Sequence, residues 1–347
     1  MFKKTLKKTG LFSTALLLAS GTFSVVANAQ SAAPLNVYTY DSFSADWGAG
    51  PKVKALFEKA QQQCQIHYVP FDSSGTLFNR LRLEGKKTKA DVVLGLDHYV
   101  LDEARKTGLF APNKVDLTRL SLPISWQDST FLPYDFGQYA FIYDKTKLAN
   151  PPQTFQELIE REDLRVIYQD PRTSAVGRGL VVWMNAVFNA DNSSSASIET
   201  AWQQLAKHTV TVGKGWSESY GAFLKGEADL VLSYNTSPLY HLLQEQKDQY
   251  AAANLQEGGV LQIEVAAKTA VSQNPCADLF LDFLLTPQAQ SEIAKYNVML
   301  PVIDTPIEPA IDALRTQQMQ AKVFDTTKIE PALLKQWISQ WQVSLTK

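Results

Sequence analysis

The sequence predicts an α/β protein of two lobes with a cleft between them. Apolar strand-like runs alternate with helical patterns twice along the chain, which is typical of parallel sheets covered by helices. Two longer strand-like runs, residues 132–143 and 260–268, separate the alternations and predict two crossings from lobe to lobe. Small ligands commonly bind at such interfaces, so we expect the function to reside in the cleft.

The first 29 residues predict a secretory signal peptide. Lysines at positions 3–8 precede an apolar run, and residues 27–29 read Ala-Asn-Ala, the small-residue pattern of a cleavage site. The apolar run is short for a membrane span, and no cysteine stands at the cleavage point to carry a lipid anchor. We therefore expect a soluble, exported mature protein.

The length and the net charge of the sequence limit the classes of protein to which it can belong. The roughly 318 residues that remain after cleavage suggest about two domains. Removing four of the 33 basic residues leaves 29 against 35 acidic ones, a net charge of −6. Domains that bind nucleic acid normally carry a basic patch or stripe, so this balance argues against such a function.

Cys64 and Cys276 are the only cysteines in the sequence. In an oxidising compartment they either form a disulfide or remain two separate, partly buried thiols, and the sequence leaves both alternatives open. The four histidines are scattered and no C-x-x-C motif occurs. A metal site therefore has little support.

The first alternation follows the signal peptide. Its predicted elements are strand 35–40, a helix opening at Pro51, strand 65–70, helix 76–84 and strand 91–96. Proline is favoured at the first position of a helix, and Ser73 or Ser74 is the expected N-cap of the second helix.

The second alternation and a helical C-terminal third complete the chain. We predict a helix opening near Thr154, strand 164–169, helices 179–188 and 198–208, strand 209–213, helix 218–226, strand 229–234, a helix starting near Leu239, and helices 277–285, 287–296 and 331–344. Trp337 and Trp341 recur at helical spacing in the last helix, which predicts core packing for both. The predicted limits are residues 30–138 with 261–347 for lobe I, and 139–260 for lobe II.

Residues 212–240 carry the densest group of candidate ligand contacts. We expect Trp216 on a loop, and the run Asn-Thr-Ser-Pro follows the strand that ends at Tyr234. Ligands of open α/β sheets bind beyond the carboxyl ends of the strands. The stretch therefore predicts a site with an aromatic face and a polar floor.

Six blocks stand out along the mature chain. They are Tyr38-Thr-Tyr-Asp-Ser-Phe43 with Asp46-Trp47-Gly48, Asn79-Arg-Leu-Arg82 with Glu84-Gly-Lys86, Ala90-Asp-Val-Val-Leu-Gly-Leu-Asp97, Tyr168-Gln-Asp-Pro-Arg-Thr-Ser174, Lys214-Gly-Trp-Ser-Glu218, and Asp229-Leu-Val-Leu-Ser-Tyr234 with Thr236-Ser-Pro238. Together they resemble the family of periplasmic thiamine-binding proteins over nearly the whole mature chain.

The resemblance implies a two-lobed type II periplasmic solute-binding fold with two hinge strands. It also implies a non-enzymatic receptor that delivers thiamine, thiamine monophosphate or thiamine pyrophosphate from the periplasm to the permease of an ABC transporter in the inner membrane, without a further cofactor. The oligomeric state stays open, with a monomer as the default expectation for a receptor that shuttles. Carried over by position, the ligand contacts of the family fall on Ser73, Ser74, Ser174, Ala175, Trp216, Tyr234, Asn235, Thr236 and Ser237. Tyr40 and Tyr240 are expected as wall residues, and Asp72 as a further ligand-binding residue.

Two positions depart from the family. Where the family has an acidic residue followed by glycine, this chain has Ser73 and Ser74, and whether Asp72 replaces the carboxylate stays open. Val298 stands where the family has an aromatic residue that closes over the ligand. The resemblance therefore leaves open a different affinity, or a different preference among the thiamine esters.

The residue types suit this ligand. Aromatic faces such as those of Trp216 and Tyr234 hold a flat cation like the thiazolium ring at about 0.5–2 kcal/mol per good contact. A carboxylate such as Asp72 or Asp41 would accept a hydrogen bond from the aminopyrimidine. A phosphate would sit at helix N-termini such as that near Ser73.

Two other functions remain as alternatives. A ferric-iron receptor of similar architecture typically carries two adjacent tyrosines, and this sequence has no Tyr-Tyr pair. A thiaminase-like enzyme needs an exposed, activated cysteine, and neither Cys64 nor Cys276 falls on a predicted cleft loop.

Overall fold

The computed structural model describes residues 33–189, 197–326 and 329–345. The predicted signal peptide, residues 1–29, lies outside these ranges. Within them, no helix combines the length and apolar composition that crossing a membrane requires.

The described residues form eleven strands, and the longer ones coincide with apolar runs of the sequence. They are β1 (Leu35–Tyr40), β2 (Ile66–Phe71), β3 (Val92–Asp97), β4 (Phe110–Ala111), β5 (Leu132–Asp144), β6 (Val166–Gln169), β7 (Thr209–Gly213), β8 (Leu230–Tyr234), β9 (Tyr250–Ala252), β10 (Leu261–Thr269) and β11 (Leu300–Pro301). The short strands β4, β9 and β11 are not predicted, because two or three residues show no recognisable periodicity.

Thirteen α-helices lie in the same ranges. They are α1 (Asp41–Ser44), α2 (Ala49–Ala60), α3 (Ser74–Glu84), α4 (Leu101–Lys106), α5 (Phe155–Glu160), α6 (Ala175–Phe188), α7 (Ile198–Lys207), α8 (Trp216–Leu224), α9 (Ser237–Glu245), α10 (Cys276–Leu284), α11 (Pro287–Glu292), α12 (Pro309–Gln320) and α13 (Pro331–Ser344). A π-helical turn, Ile293–Asn297, follows α11, so the helix predicted over residues 287–296 ends early as an α-helix. The sequence pattern misses α1, α4 and α12.

Six helices, α2, α3, α6, α8, α9 and α10, begin earlier than predicted, and the difference bears on the site in four of them. α3 begins at Ser74, α6 at Ala175, α8 at Trp216 and α9 at Ser237, so Trp216 lies on a helix rather than on a loop. Their N-cap residues are Ser73, Ser174, Gly215 and Thr236. Such residues are common both in caps and in turns, so the sequence pattern does not separate the two.

The strands form one continuous path in the order β2-β1-β3-β10-β5-β8-β6-β7. At one end β1 pairs in parallel with β2 and β3, and at the other β6 pairs in parallel with β7 and β8. Between these ends, β10 is antiparallel to β3 and β5, and β5 is antiparallel to β8. The two parallel halves are thus joined through β5 and β10, the long strands predicted as crossings.

Buried side chains form two large apolar clusters and a smaller third one. The first cluster takes its residues from Leu35 to Phe136 and again from Ile263 to Ile311. Apart from Tyr99, the second takes its residues from Tyr139 onward. Strand β5 therefore contributes its first half to one core and its second half to the other.

The last helix, α13, packs on the second cluster. Leu334 and Trp341 belong to that cluster and Trp337 packs against it, while the Trp341 indole N–H donates to the Tyr168 hydroxyl at 3.2 Å. Core packing of both tryptophans is confirmed. The sequence predicts this helix for lobe I, but an apolar stripe shows that a helix packs and not on which core. The lobe limits stay predictions.

Cys64 and Cys276 form a disulfide, which resolves the choice that the sequence leaves open. Their Cα atoms lie 5.8 Å apart although the residues are 212 positions apart in sequence. Cys64 precedes β2 and Cys276 begins α10. The bond therefore joins the N-terminal and C-terminal contributions to the first cluster.

Candidate functional site

A cavity of about 340 Å³ lies between elements of the first cluster and elements of the second. The carboxyl ends of β1 and β8, the first turns of α3, α6, α8 and α9, and the π-helical turn form its wall. The volume lies within the usual range for small-molecule sites.

Ten of the twelve predicted ligand-binding residues line this cavity. They are Tyr40, Asp72, Ser73, Ser74, Ser174, Ala175, Trp216, Tyr234, Ser237 and Tyr240. Most of them stand at the carboxyl end of a strand or in the first turn of a helix, and the topology gathers these ends at one place.

Asn235 and Thr236, expected on the wall, do not line the cavity. The Asn235 side chain accepts from the Gln138 N–H at 3.2 Å and donates to the Gln318 amide oxygen at 2.7 Å. The buried Thr236 hydroxyl faces the Met299 sulfur at 3.9 Å. The turn from β8 into α9 points these two side chains away, whereas Tyr234 before them and Ser237 after them line the cavity.

Stacked rings form one wall. The Trp216 ring lies parallel to that of Tyr220, with centroids 4.9 Å apart and planes 16° apart, and Tyr220 stacks on His241 at 5.8 Å. The Trp216 indole N–H donates to the Ser233 hydroxyl at 2.7 Å. The indole is thus held by stacking and by a hydrogen bond, and its orientation does not depend on a ligand.

The first turns of four helices open onto the cavity, at Ser74, Ala175, Trp216 and Ser237. Free backbone N–H groups and the helix dipole make such ends favourable for negative charge. The predicted N-cap role of Ser73 is confirmed, since its hydroxyl accepts from the Thr76 N–H at 3.2 Å.

Polar contacts join the two sides of the cavity along its rim. Lys214 pairs with Asp72 at 3.1 Å, and the Ser217 hydroxyl donates to the Asp41 carboxylate at 3.1 Å. A Cβ on Gly215 would come within 2.6 Å of the Asp72 carbonyl oxygen. Only glycine therefore fits where these two backbone segments meet. The Ser73 hydroxyl also donates across the rim, to the Thr173 carbonyl at 2.5 Å.

The side chains lining the cavity give it negative charge. They include the carboxyl groups of Asp41, Asp72, Glu245 and Glu264, and no lysine or arginine occurs among the described lining residues. Burial raises the pKa of Asp41 above its usual range. The hydrogen bond from His241 is the main cause that lowers the pKa of Glu245. The cavity therefore favours a cation.

Two carboxyl groups and two phenols meet at the floor of the cavity. The hydroxyls of Tyr40 and Tyr134 each donate to Glu264 Oε2 at 2.6 Å. Asn297 Nδ2 donates to Asp135 Oδ2 at 2.7 Å. Burial is the main cause that raises the pKa of Asp135 and of Glu264.

A buried ion pair links β3 to α6. Asp97 has no exposed surface, Arg178 is 6% exposed, and their side chains are hydrogen-bonded. Asp97 also accepts from the Tyr99 N–H at 3.1 Å, whereas the Arg178 Nε has no hydrogen-bond partner. The sequence pattern gives no signal for this pair, because its members are 81 positions apart.

Other lining residues are missed by the sequence analysis. They include Trp47, Tyr220, His241, Glu264 and Tyr296. Tyr220 stands four positions after Trp216, a spacing that places both on one helix face, so a correct helix start would have found it. Val298, noted for its departure from the family, lines the cavity with a φ of 55°, a conformation that β-branched residues rarely adopt.

Comparisons with known proteins show the family and the fold of this chain. Residues 37–291 match the bacterial extracellular solute-binding protein family. The thiamine-binding periplasmic protein of Haemophilus influenzae is 59% identical over all of this chain and 99% of its own length, and that of Escherichia coli is 51% identical over 90% and 94%. A solved periplasmic thiamin binding protein superposes with a TM-score of 0.81 at 49% identity, covering 90% of this chain and 96% of its own. The match shows the predicted type II fold, and the chain belongs to the bacterial extracellular solute-binding protein family.

Proposed function

We propose that this protein captures thiamine or one of its phosphate esters in the cavity, in the periplasm, and delivers it to the permease of an inner-membrane ABC transporter. The observation that carries the proposal is a cavity lined by stacked aromatic rings and carboxyl groups, in a chain 59% and 51% identical to proteins named for thiamine binding.

The aromatic wall and the carboxyl groups suit the thiazolium cation. A cation over the face of Trp216 or Tyr234 gains about 0.5–2 kcal/mol, and the negative wall adds long-range attraction. Asp41 and Asp72 both line the cavity, so either carboxyl group is available to the amino group of the pyrimidine ring.

The four helix N-termini suit a phosphate. α3 and α6 have 11 and 14 residues, and a helix end offers backbone N–H donors to a phosphate without requiring a lysine or arginine. These helix N-termini support binding of the phosphate esters as well as of thiamine itself.

The disulfide supports a receptor over an enzyme of the thiaminase kind. That chemistry needs a cysteine thiolate as nucleophile, and both cysteines of the chain are joined to each other. We therefore propose that the protein releases its ligand chemically unchanged and that it uses no resident cofactor.

Calorimetric titration tests the function. We expect the mature protein, unfolded and refolded to remove bound ligand, to bind thiamine, its monophosphate or its pyrophosphate with a submicromolar Kd. Such a Kd corresponds to a binding free energy more favourable than about −8 kcal/mol. Chromatography of the mixture should recover the ligand intact. Absence of binding to all three would contradict the proposal, and release of free pyrimidine would favour the enzyme.

Trp216→Ala should weaken thiamine binding at least tenfold, which is about 1.4 kcal/mol or more. The change removes the indole ring that stacks on Tyr220 and its hydrogen bond to the Ser233 hydroxyl. Trp216→Phe keeps a ring and should lose less. Trp337→Ala, which alters a tryptophan of α13 outside the cavity lining, is the control and should keep the wild-type Kd. An unchanged Kd in Trp216→Ala would remove this residue from the site.

A further inference from the structure

Asp135 and Glu264 face each other across the pairing of β5 with β10. Asp135 has no exposed surface and Glu264 is 6% exposed, although Glu264 lies on the cavity wall. Like charges directly opposite in a sheet repel, and buried carboxylates without a counter-charge are costly. Two ionised groups are therefore unfavourable here while the cavity is empty.

The hydrogen bonds do not supply the missing positive charge. Glu264 accepts from Tyr40, Tyr134 and the Gln262 side chain, and Asp135 accepts from Asn297. All four donors are neutral, and Asp135 Oδ1 has no hydrogen-bond partner. In the ranges that the structure describes, neither carboxyl group takes part in an ion pair.

The other titratable groups of the surrounding elements do not supply a positive charge either. They are Tyr234 of β8, Asp97 at the end of β3, Arg178 of α6, and His98, whose ring accepts from the Ile263 N–H. The π-helical turn that carries Asn297 also carries Lys295. Arg178 is bonded to Asp97, and Lys295 pairs with Glu308 at 3.2 Å. Burial lowers the pKa of His98 to about 4, so its ring is neutral near pH 7.

We propose that Asp135 and Glu264 share one proton while the cavity is empty and release it to solvent when a cationic ligand binds, so that the ionised pair becomes the counter-charge of the ligand. The O–H bond of one carboxyl group breaks and its proton goes to the buffer. The inference rests on the proposed function, since it needs a cation in the cavity.

The raised pKa of both groups has the direction that this exchange requires. Two close carboxyl groups that cannot both ionise hold a proton above the usual carboxyl range, and a nearby cation lowers the pKa again. Binding should therefore strengthen as the pH rises, by up to about tenfold per pH unit for one proton. The Tyr40 hydroxyl bonded to Glu264 connects this floor to the strand end at the cavity.

The experiment is a thiamine titration of the ligand-free mature protein by calorimetry, at several pH values between 6 and 8.5. Each titration is run in two buffers of different ionisation enthalpy, which counts the protons exchanged. We expect a release that peaks at about 0.5–1 proton per ligand. Glu264→Gln should abolish it and weaken binding at least tenfold at the higher pH. Asp135→Asn should also abolish it.

Glu162→Gln is the control, because Glu162 forms an exposed ion pair with Lys207 and does not line the cavity; it should keep both the release and the Kd. Binding without proton release by the wild type, at every pH, would overturn the inference while leaving the proposed function intact. A release that survives Glu264→Gln but disappears in Asp41→Asn would also overturn it. If an ester binds more tightly than thiamine, the same titrations use that ester, and absence of binding to all three ligands would contradict the function and the inference together.

Discussion

Arg178→Met should lower the free energy of unfolding by about 3–5 kcal/mol, the cost of leaving a buried partner charge unpaired. The variant leaves the Asp97 carboxylate with no exposed surface and no cation. Because Asp97 ends β3 in one core and Arg178 lies on α6 in the other, the loss should affect both cores. Urea unfolding followed by circular dichroism measures it.

The matched control removes both charges. In Asp97→Asn with Arg178→Met, the asparagine can still accept from the Tyr99 N–H, so most of the stability should return. The two single variants and the double variant complete a cycle that isolates the pair. A loss below about 1 kcal/mol in Arg178→Met, the range of exposed pairs, would show that water reaches the Asp97 carboxylate.

The double variant Cys64→Ser with Cys276→Ser should lose about 2–5 kcal/mol of unfolding free energy. The disulfide closes a loop of 212 positions, and cross-links that close long loops restrict the unfolded chain most. Thermal unfolding of the variant and of the wild type with and without reductant measures the effect.

Thiamine binding separates this effect from damage to the site. Neither cysteine lines the cavity, so the variant should keep the wild-type Kd below its unfolding temperature. Reduced wild type should unfold like the variant. Equal stability of the oxidised wild type and the variant would contradict the prediction.

The strands and the two-lobed fold could be predicted because buried strands of a parallel sheet appear as apolar runs. Helix starts could not be predicted with the same accuracy. Ser174 and Thr236 are N-caps, yet such residues occupy turns as readily. An error of a few residues in the predicted start of a helix matters here. It hides the fact that Ala175 and Trp216 begin helices, and that several helix N-termini line the cavity.

The site was predicted where its residues share a strand end, and missed where it depends on pairing between distant segments. Glu264 lies inside the run predicted as a crossing strand, and only the register with Asp135 on β5 shows which way it faces. A shift by one residue turns every side chain to the opposite face. Register between segments 129 positions apart (264 minus 135) is not encoded in local periodicity.

The position of β10 in the chain also bears on when the protein can fold during synthesis. β3 and β5 pair with β10, but β10 begins only at Leu261, after the second alternation. At the usual rate of translation, the first core would wait on the order of ten seconds for this strand. The edges of β3 and β5 that pair with β10 stay unpaired throughout that interval. A first core that cannot close before β10 is made is suited to passing through a membrane channel before folding, as the proposed export requires.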